Sequence, residues 1–226
     1  MKWDDTSVTV SSTVTLNTLV EEVAAHGYAG MEELAGIPGS VGGAVIMNAG
    51  AFSSCIADTL DSVTVIDRQT DEMTIHPASS IGLGYRTSVL QRSGEIVVNA
   101  RFSFSRVVDP KELDSIRKDV LGRRREKQPL DFPNCGSVFK RPAGNFAGTL
   151  IQQCGLKGLR CGGAEVSLKH ANFIINTGGA RADDVRHLIS TIQKRVYEQF
   201  GVLLQPEVIF IGEFKEPLFS PPERDS

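Results

Sequence analysis

The amino-acid sequence predicts an α+β protein built from two units, and three observations carry that expectation. Short alternating runs of apolar residues read as strands, and two of them face each other across a tight turn. Apolar residues spaced three and four apart read as amphipathic helices. One stretch, 128–142, is broken by Pro129, Pro133 and Gly136 and reads as the joint between the units.

The elements follow in order. Residues 8–14 alternate as a short strand. Leu16, Leu19, Val20, Val23 and Ala24 share a helical face that Gly27 closes. A glycine-dense loop comes next. Val63 and Val65 mark a strand, 68–71 a turn, and Met73 with Ile75 the hairpin partner, while 96–104 is a further strand. Asp109-Pro110 starts a helix, because proline lacks only an N–H that the first turn leaves unused. Leu113, Ile116, Val120 and Leu121 form its apolar face. Arg123, Arg124 and Arg125 end it, either as a solvated terminus favoured by the helix dipole or as an anion site.

Beyond the joint, Leu150, Ile151 and Cys154 predict a short helix stopped by Gly155, and 173–175 a strand. Val185, Leu188, Ile189, Ile192, Val196 and Phe200 form one face of a long helix, with Asp183 and Asp184 in its first turn and Gly201 at its end. Residues 202–211 read as the last strand, apolar except at Gln205, Pro206 and Glu207. The tail, 213–226, is polar and is expected to fray.

With 226 residues, 41% of them hydrophobic and 23% charged, the chain can bury a real core. Its net charge of -3 argues against a general nucleic-acid surface. No run approaches the ~18 apolar residues of a membrane span, and the first residues lack the apolar core of a secretory signal. Cys55, Cys135, Cys154 and Cys161 show no CxxC and fit reduced thiols in the cytoplasm. His26, His76, His170 and His187 form no ligand pair at helical spacing, so no metal is expected.

The densest chemical signal runs from Gly36 to Gly50, five glycines in fifteen residues. Such a cluster is either a tight packed turn or a set of bare N–H groups around an anion such as a pyrophosphate. No lysine follows as in a Walker A loop, and Gly-x-Gly-x-x-Gly is absent. Glu207, flanked by apolar residues, is either a desolvated carboxylic acid able to act as general acid or an outward residue beside Pro206. Ser137, in a turn entering an apolar strand, either bonds a turn amide or carries chemistry, and no Gly-x-Ser-x-Gly elbow supports acyl transfer. Arg86, within Gly84-Tyr85-Arg86-Thr87-Ser88, is a fork donor for carboxylate or phosphate, or a surface arginine.

Taken in order, GIPGSVGGAVIMNAGAF (36–52), GYRTS (84–88), RRREKQPLDFPNCGSVFKRP (123–142), CGLKGLRCGGAEVSLKHANFIIN (154–176) and GVLLQPEVIFIG (201–212) closely resemble the flavin enzymes called UDP-N-acetylenolpyruvoylglucosamine reductases. The resemblance covers about residues 8–212. It implies part of a flavin-binding unit of the vanillyl-alcohol-oxidase type at 1–127, and a smaller α+β substrate-binding unit at 128–200. Residues 201–226 would return to the flavin side. FAD is the implied cofactor and NADPH the implied hydride donor. The implied reaction converts UDP-N-acetylglucosamine enolpyruvate to UDP-N-acetylmuramate for peptidoglycan.

Residue by residue, the resemblance implies that Gly36, Ile37, Pro38, Gly39, Ser40, Val41, Gly42, Gly43, Asn48 and Gly50 line the flavin. The amides of 39–43 and the Ser40 hydroxyl would lie near its pyrophosphate. Arg86, Ser137 and Glu207 fall at the reacting end, with Ser137 as proton donor. Tyr85, Lys140, Arg141 and Lys157 fall where members meet the nucleotide-sugar. The run 88–96 resembles the family's second type. Arg141 stands where many members have asparagine, and Thr87 where aspartate is usual. Members begin with a further small βα subdomain that carries flavin contacts, ahead of the strand that here starts near Val8. The alternative expectation is therefore a shortened homologue that binds flavin or nucleotide-sugar without turnover. The expected partner is the nucleotide-sugar, with neither nucleic acid nor membrane, and the expected state is a monomer that self-associates if the front subdomain is missing.

Overall fold

Alternating apolar residues build the first of two units, Met1–Arg124; the second is Arg125–Ser226. This computed structural model describes residues 1–214 and 217–222. In the first unit, β1 (Lys2–Asp4) and β2 (Ser7–Ser11) form a hairpin that turns at Asp5. Helix α1 (Leu16–Ala25) is capped by Thr15, whose hydroxyl accepts the Thr18 amide, and Gly27 closes it at φ 79°.

The glycine-dense stretch is not a continuous loop, because α2 (Val41–Ile46) occupies its middle. Burial of Val41, Ala44 and Val45, with a cap from Ser40, overrides the poor helix propensity of Gly42 and Gly43. A Cβ on Gly42 would stand 2.8 Å from the Ser12 Cβ, so this approach to the end of β2 requires glycine.

β3 (Gly50–Ala51) and β4 (Ser54–Cys55) make a small hairpin. β5 (Leu60–Ile66) pairs with β6 (Met73–Pro77), placing Val65 opposite Thr74, and β7 (Ile96–Ser103) completes an antiparallel sheet of order β1-β2-β7-β5-β6. One face of that sheet, with Val8, Val10, Val63, Val65, Ala100 and Phe102, shares a core with Leu16, Leu19, Val20 and Val23 of α1.

In α3 (Pro110–Lys127) the buried stripe runs through Leu113, Val120 and Arg124. The expected apolar face is corrected at Ile116, which is 38% exposed. Positions 113, 120 and 124 align at steps of seven and four, and Ile116 lies off that line. The solvated-terminus expectation holds for Arg123 and Arg125 but not for Arg124, which is buried.

The second unit contains β8 (Asn134–Ser137), α4 (Ala147–Gln153), β9 (Arg160–Cys161), β10 (Ala164–Val166), β11 (Phe173–Asn176) and α5 (Ala182–Phe200). Its sheet is antiparallel in the order β8-β11-β10-β9. Stretch 128–142 is irregular apart from β8 and the isolated bridge at Phe139, and it lies inside the second unit, whose first residue is Arg125. Strands β9 and β10 carry too few residues to show a period. Ile151, Val166, Ile174, Leu188, Ile189, Ile192 and Val196 form the core, and Gly201, φ 67°, ends α5. Phe200, expected on the buried face, is 37% exposed at the last residue of the helix.

The expected strand over 202–211 is corrected too. It is reduced to one isolated bridge, Phe139 with Pro206. Proline has no N–H to extend a ladder. Val208 and Phe210 lean on the core, whereas Ile209 and Ile211 are 77% and 89% exposed. Glu207 is half-buried rather than enclosed. The described tail is held, not frayed: Leu218 packs on the core and Phe219 lies 5.8 Å from the Tyr197 ring. Residues 215, 216 and 223–226 of that tail lie outside the described residues. Among the described residues no helix is long and apolar enough to cross a membrane, no three His, Cys, Asp or Glu side chains cluster as a metal site, and none of the four cysteines is in a disulfide.

Candidate active site

The turn before α2 carries the first residues of the candidate site. Leu16 donates its amide to the Gly39 carbonyl at 2.9 Å, and Val41 donates to Val14 at 2.8 Å, which pins the turn to the start of α1. Gly42 donates to the Ser12 carbonyl, and Gly43 to the Ser40 hydroxyl. Among the described residues, the amides of Gly39 and Ser40 have no intramolecular acceptor. Gly39 sits at φ 136°, and a Cβ there would meet nothing within 4 Å. The donor set implied for 39–43 therefore narrows to two amides and the Ser40 hydroxyl, beside open space. Two adjacent N–H groups and a hydroxyl suit a phosphate oxygen. They fit the diphosphate of a dinucleotide.

Gly36, Ile37 and Pro38 approach this turn, and Arg124 braces their start. Its Nε donates to the Ala35 carbonyl at 2.7 Å and its Nη2 to Glu33 at 3.4 Å. Burial pushes the Arg124 pKa down. The guanidinium also lies 5.6 Å from the Phe52 ring, with Arg123 at 4.4 Å. Sequence reasoning grouped Arg124 with Arg123 and Arg125 as a solvated terminus or an anion site, although its spacing from Leu113 and Val120 marks a buried position.

Asn48, buried at φ 42°, uses its side chain as a local clasp: Nδ2 donates to the Gly84 carbonyl and Oδ1 accepts the Ala57 amide. That clasp carries the turn bearing Tyr85 and Arg86. Arg86 takes φ 55° and its Nη2 donates to the Gly50 carbonyl at 2.8 Å, so the fork is held against the far end of the glycine-rich stretch. Its guanidinium lies 5.2 Å from the Tyr85 ring. A non-glycine residue in the left-handed region is uncommon and marks a constrained position.

In the second unit, Ser137 ends β8 opposite Phe173 and is exposed. The chain then continues through buried Val138 and Phe139 to Lys140. On one side of it, Glu207 donates its amide to the Val138 carbonyl at 2.8 Å, and Lys140 donates to Gln205 at 2.9 Å. These bonds bring Ser137, Lys140 and Glu207 onto one ladder. Arg141 follows, its guanidinium 4.1 Å from the Phe146 ring. Lys157 stands apart, after α4, with Nζ 3.5 Å from Gln152 Oε1. On the opposite side of the ladder lies Asn172, a residue that sequence reasoning missed. Its signal was a lone amide between Ala171 and Phe173 in an otherwise apolar run.

Comparison with known proteins bears on the family and the fold. Residues 1–75 match the family profile described as FAD binding domain, and residues 128–211 match UDP-N-acetylenolpyruvoylglucosamine reductase, C-terminal domain. A protein named UDP-N-acetylenolpyruvoylglucosamine reductase from Lactobacillus johnsonii is 44% identical over 216 residues, covering 94% of this chain and 70% of that protein. The chain belongs to the UDP-N-acetylenolpyruvoylglucosamine reductase family. The family member from Caldicellulosiruptor bescii is 49% identical over 197 residues, covering 86% of this chain. A crystal structure of the Thermus caldophilus family member superposes with TM-score 0.78 at 37% identity, covering 91% of this chain and 73% of that one. The chain spans 62% of the length of the Caldicellulosiruptor bescii and Trichormus variabilis members of the family.

Proposed function

We propose that this protein reduces UDP-N-acetylglucosamine enolpyruvate to UDP-N-acetylmuramate, a step of peptidoglycan precursor synthesis, with FAD as cofactor and NADPH as hydride donor. The observation that supports the reading is the backbone bond from Glu207 to Val138, the residue after Ser137, in a unit whose sequence matches the family's C-terminal domain. Bound FAD would supply the redox chemistry, a hydride taken from NADPH for the vinyl carbon remote from the substrate carboxylate.

The chain's own residues do the rest. The Gly39 and Ser40 amides and the Ser40 hydroxyl hold the cofactor's diphosphate, with Gly36, Ile37, Pro38, Val41, Gly42, Gly43, Asn48 and Gly50 shaping the wall. Arg86 stabilises the negative charge that spreads into the substrate carboxylate, and Glu207 lines the reacting end. Fixed donors at such a site lower the barrier by roughly 3 kcal/mol each. The Ser137 Oγ–H gives its proton to the carbon beside that carboxylate, completing the lactyl ether, and the alkoxide regains a proton from water. Lys140, Arg141 and Lys157 offer positive charge to the nucleotide diphosphate, and Tyr85 offers an aromatic face to the sugar. NADPH and nucleotide-sugars place the work in the cytoplasm.

The test is to incubate the purified protein with FAD, NADPH and the enolpyruvyl substrate and to weigh the product. A nucleotide-sugar heavier by two hydrogens, formed with one NADPH consumed, supports the reading. Protein that takes up no FAD and leaves the substrate unchanged sinks it.

A further inference from the structure

We propose that Asn172 is a positioning residue, a side-chain clasp that sets the registration of the ladder carrying Ser137, Lys140 and Glu207. Pairing between β8 and β11 ends at Ser137 opposite Phe173. Beyond that point the Asn172 amide takes over as strand partner. Its Oδ1 accepts the Phe139 amide at 3.0 Å, and its Nδ2 donates to the Phe139 carbonyl at 2.9 Å. Its backbone carbonyl also accepts the Val138 amide at 2.9 Å. Three bonds thus fix 138–139 on one edge, while the bonds from Glu207 and Lys140 occupy the other.

The chemistry singles out this residue type. Only a carboxamide offers one acceptor and one donor at the spacing of a peptide. Val138 and Phe139 are 1% and 2% exposed, so water cannot replace the amide, and an unmatched Phe139 peptide would be costly. The clasp is itself braced. The Asn172 amide donates to His170 Nδ1 at 3.2 Å, and Ser167 Oγ accepts the Lys169 and His170 amides. Burial pushes the His170 pKa down. Gly148 leaves the ring its room, since a Cβ there would stand 3.4 Å from His170 Cε1.

The link to turnover rests on the reductase reading; the clasp itself does not, and the test separates the two. Asn172→Asp keeps shape and can still accept from Phe139, but its carboxylate cannot donate to the Phe139 carbonyl. Protonation restores that donor. Amide exchange of Lys140 and Glu207, measured by NMR relative to Ile189 in α5, should therefore be roughly tenfold faster in the variant at pH ~8 and near wild type at pH ~5. Lys140, Lys157, Lys169, His170 and Glu207 are the charged or titratable groups around the clasp, and wild-type protein over the same range is the blank for them. Asn172→Ala should show the faster exchange at every pH, and it carries the test if the aspartate variant does not fold at pH ~8.

Unchanged exchange at Lys140 and Glu207 would overturn the proposal, as would equal acceleration at Ile189, the sign of general loosening. Where wild-type protein turns over, Asn172→Ala should lower kcat at least about tenfold without changing KM for NADPH; an unaltered kcat counts against the positioning role. Inactive wild-type protein would remove the reductase reading and leave the exchange result standing.

Discussion

Arg124→Met removes a buried guanidinium but keeps much of the stem that lies beside Gly36. The structure sets the size of the effect. The charged donor at 2.7 Å from the Ala35 carbonyl contributes about 2 kcal/mol. The 3.4 Å contact to Glu33 adds little, and the guanidinium over Phe52 adds about 0.5 kcal/mol. Relief of cation burial, whose cost is visible in the lowered pKa, offsets part of this. A net loss of about 2 kcal/mol remains. Trp3 is the chain's single tryptophan and stacks 3.9 Å from His26, so its fluorescence reports the first unit. With a urea slope of about 2 kcal/mol per M, the midpoint should fall by about 1 M. Arg123→Met, on the exposed side of the same helix turn, should move it by less than about 0.3 M. Equal shifts for the two variants would refute the assignment of Arg124 as the brace of the 33–36 segment.

Gly39→Ala should weaken FAD binding at least about tenfold in calorimetric titration, since a side chain enters open space beside the two unpaired amides; unchanged affinity would remove that turn from the cofactor site. Glu207→Gln should fold as wild type, because the bond to Val138 is made by its backbone, yet turn over at least about a hundredfold more slowly; near-normal turnover would leave Glu207 a structural residue. Burial raises the Glu33 pKa, but bonds from the Ser53 hydroxyl and amide and the Ser54 hydroxyl, with Arg123 nearby, outweigh it and hold the carboxyl below its ordinary 4.5. A depressed carboxylate stabilises the folded chain above that value and loses the contribution as pH falls through the folded pKa. Stability of Glu33→Gln should accordingly change less than wild type between about pH 5 and pH 3, and parallel profiles would contradict it.

Most elements were legible because burial acts on a fixed period. Leu16, Leu19, Val20 and Val23, or Leu188, Ile189, Ile192 and Val196, repeat at helical spacing and are all buried. Three features were not legible. The α2 helix hides among glycines, whose propensity opposes it, and forms because Ser40 caps it and Val41 and Val45 are buried. Strands β8, β9 and β10 are too short to show a period. Residues 202–211 look like a strand by composition, but Pro206 limits pairing to one bridge. For the candidate site, the motifs named Ser137, Glu207 and Arg86, whereas the residues that hold them stayed hidden. Asn172 acts through the backbone of a residue 33 positions away and Arg124 through those of residues 89 and 91 positions away, and a linear pattern does not carry such partners.

The most direct test of the account is anaerobic stopped-flow spectroscopy of wild-type protein and Ser137→Ala, following flavin absorbance in each half-reaction separately. NADPH should reduce the flavin at similar rates in both. Reoxidation by the enolpyruvyl substrate should be fast in wild type and slower by at least about a thousandfold, roughly 4 kcal/mol, in the variant. Equal slowing of both half-reactions, or no reoxidation by the substrate in wild type, would contradict the assignment of Ser137 as the proton donor of a reductase.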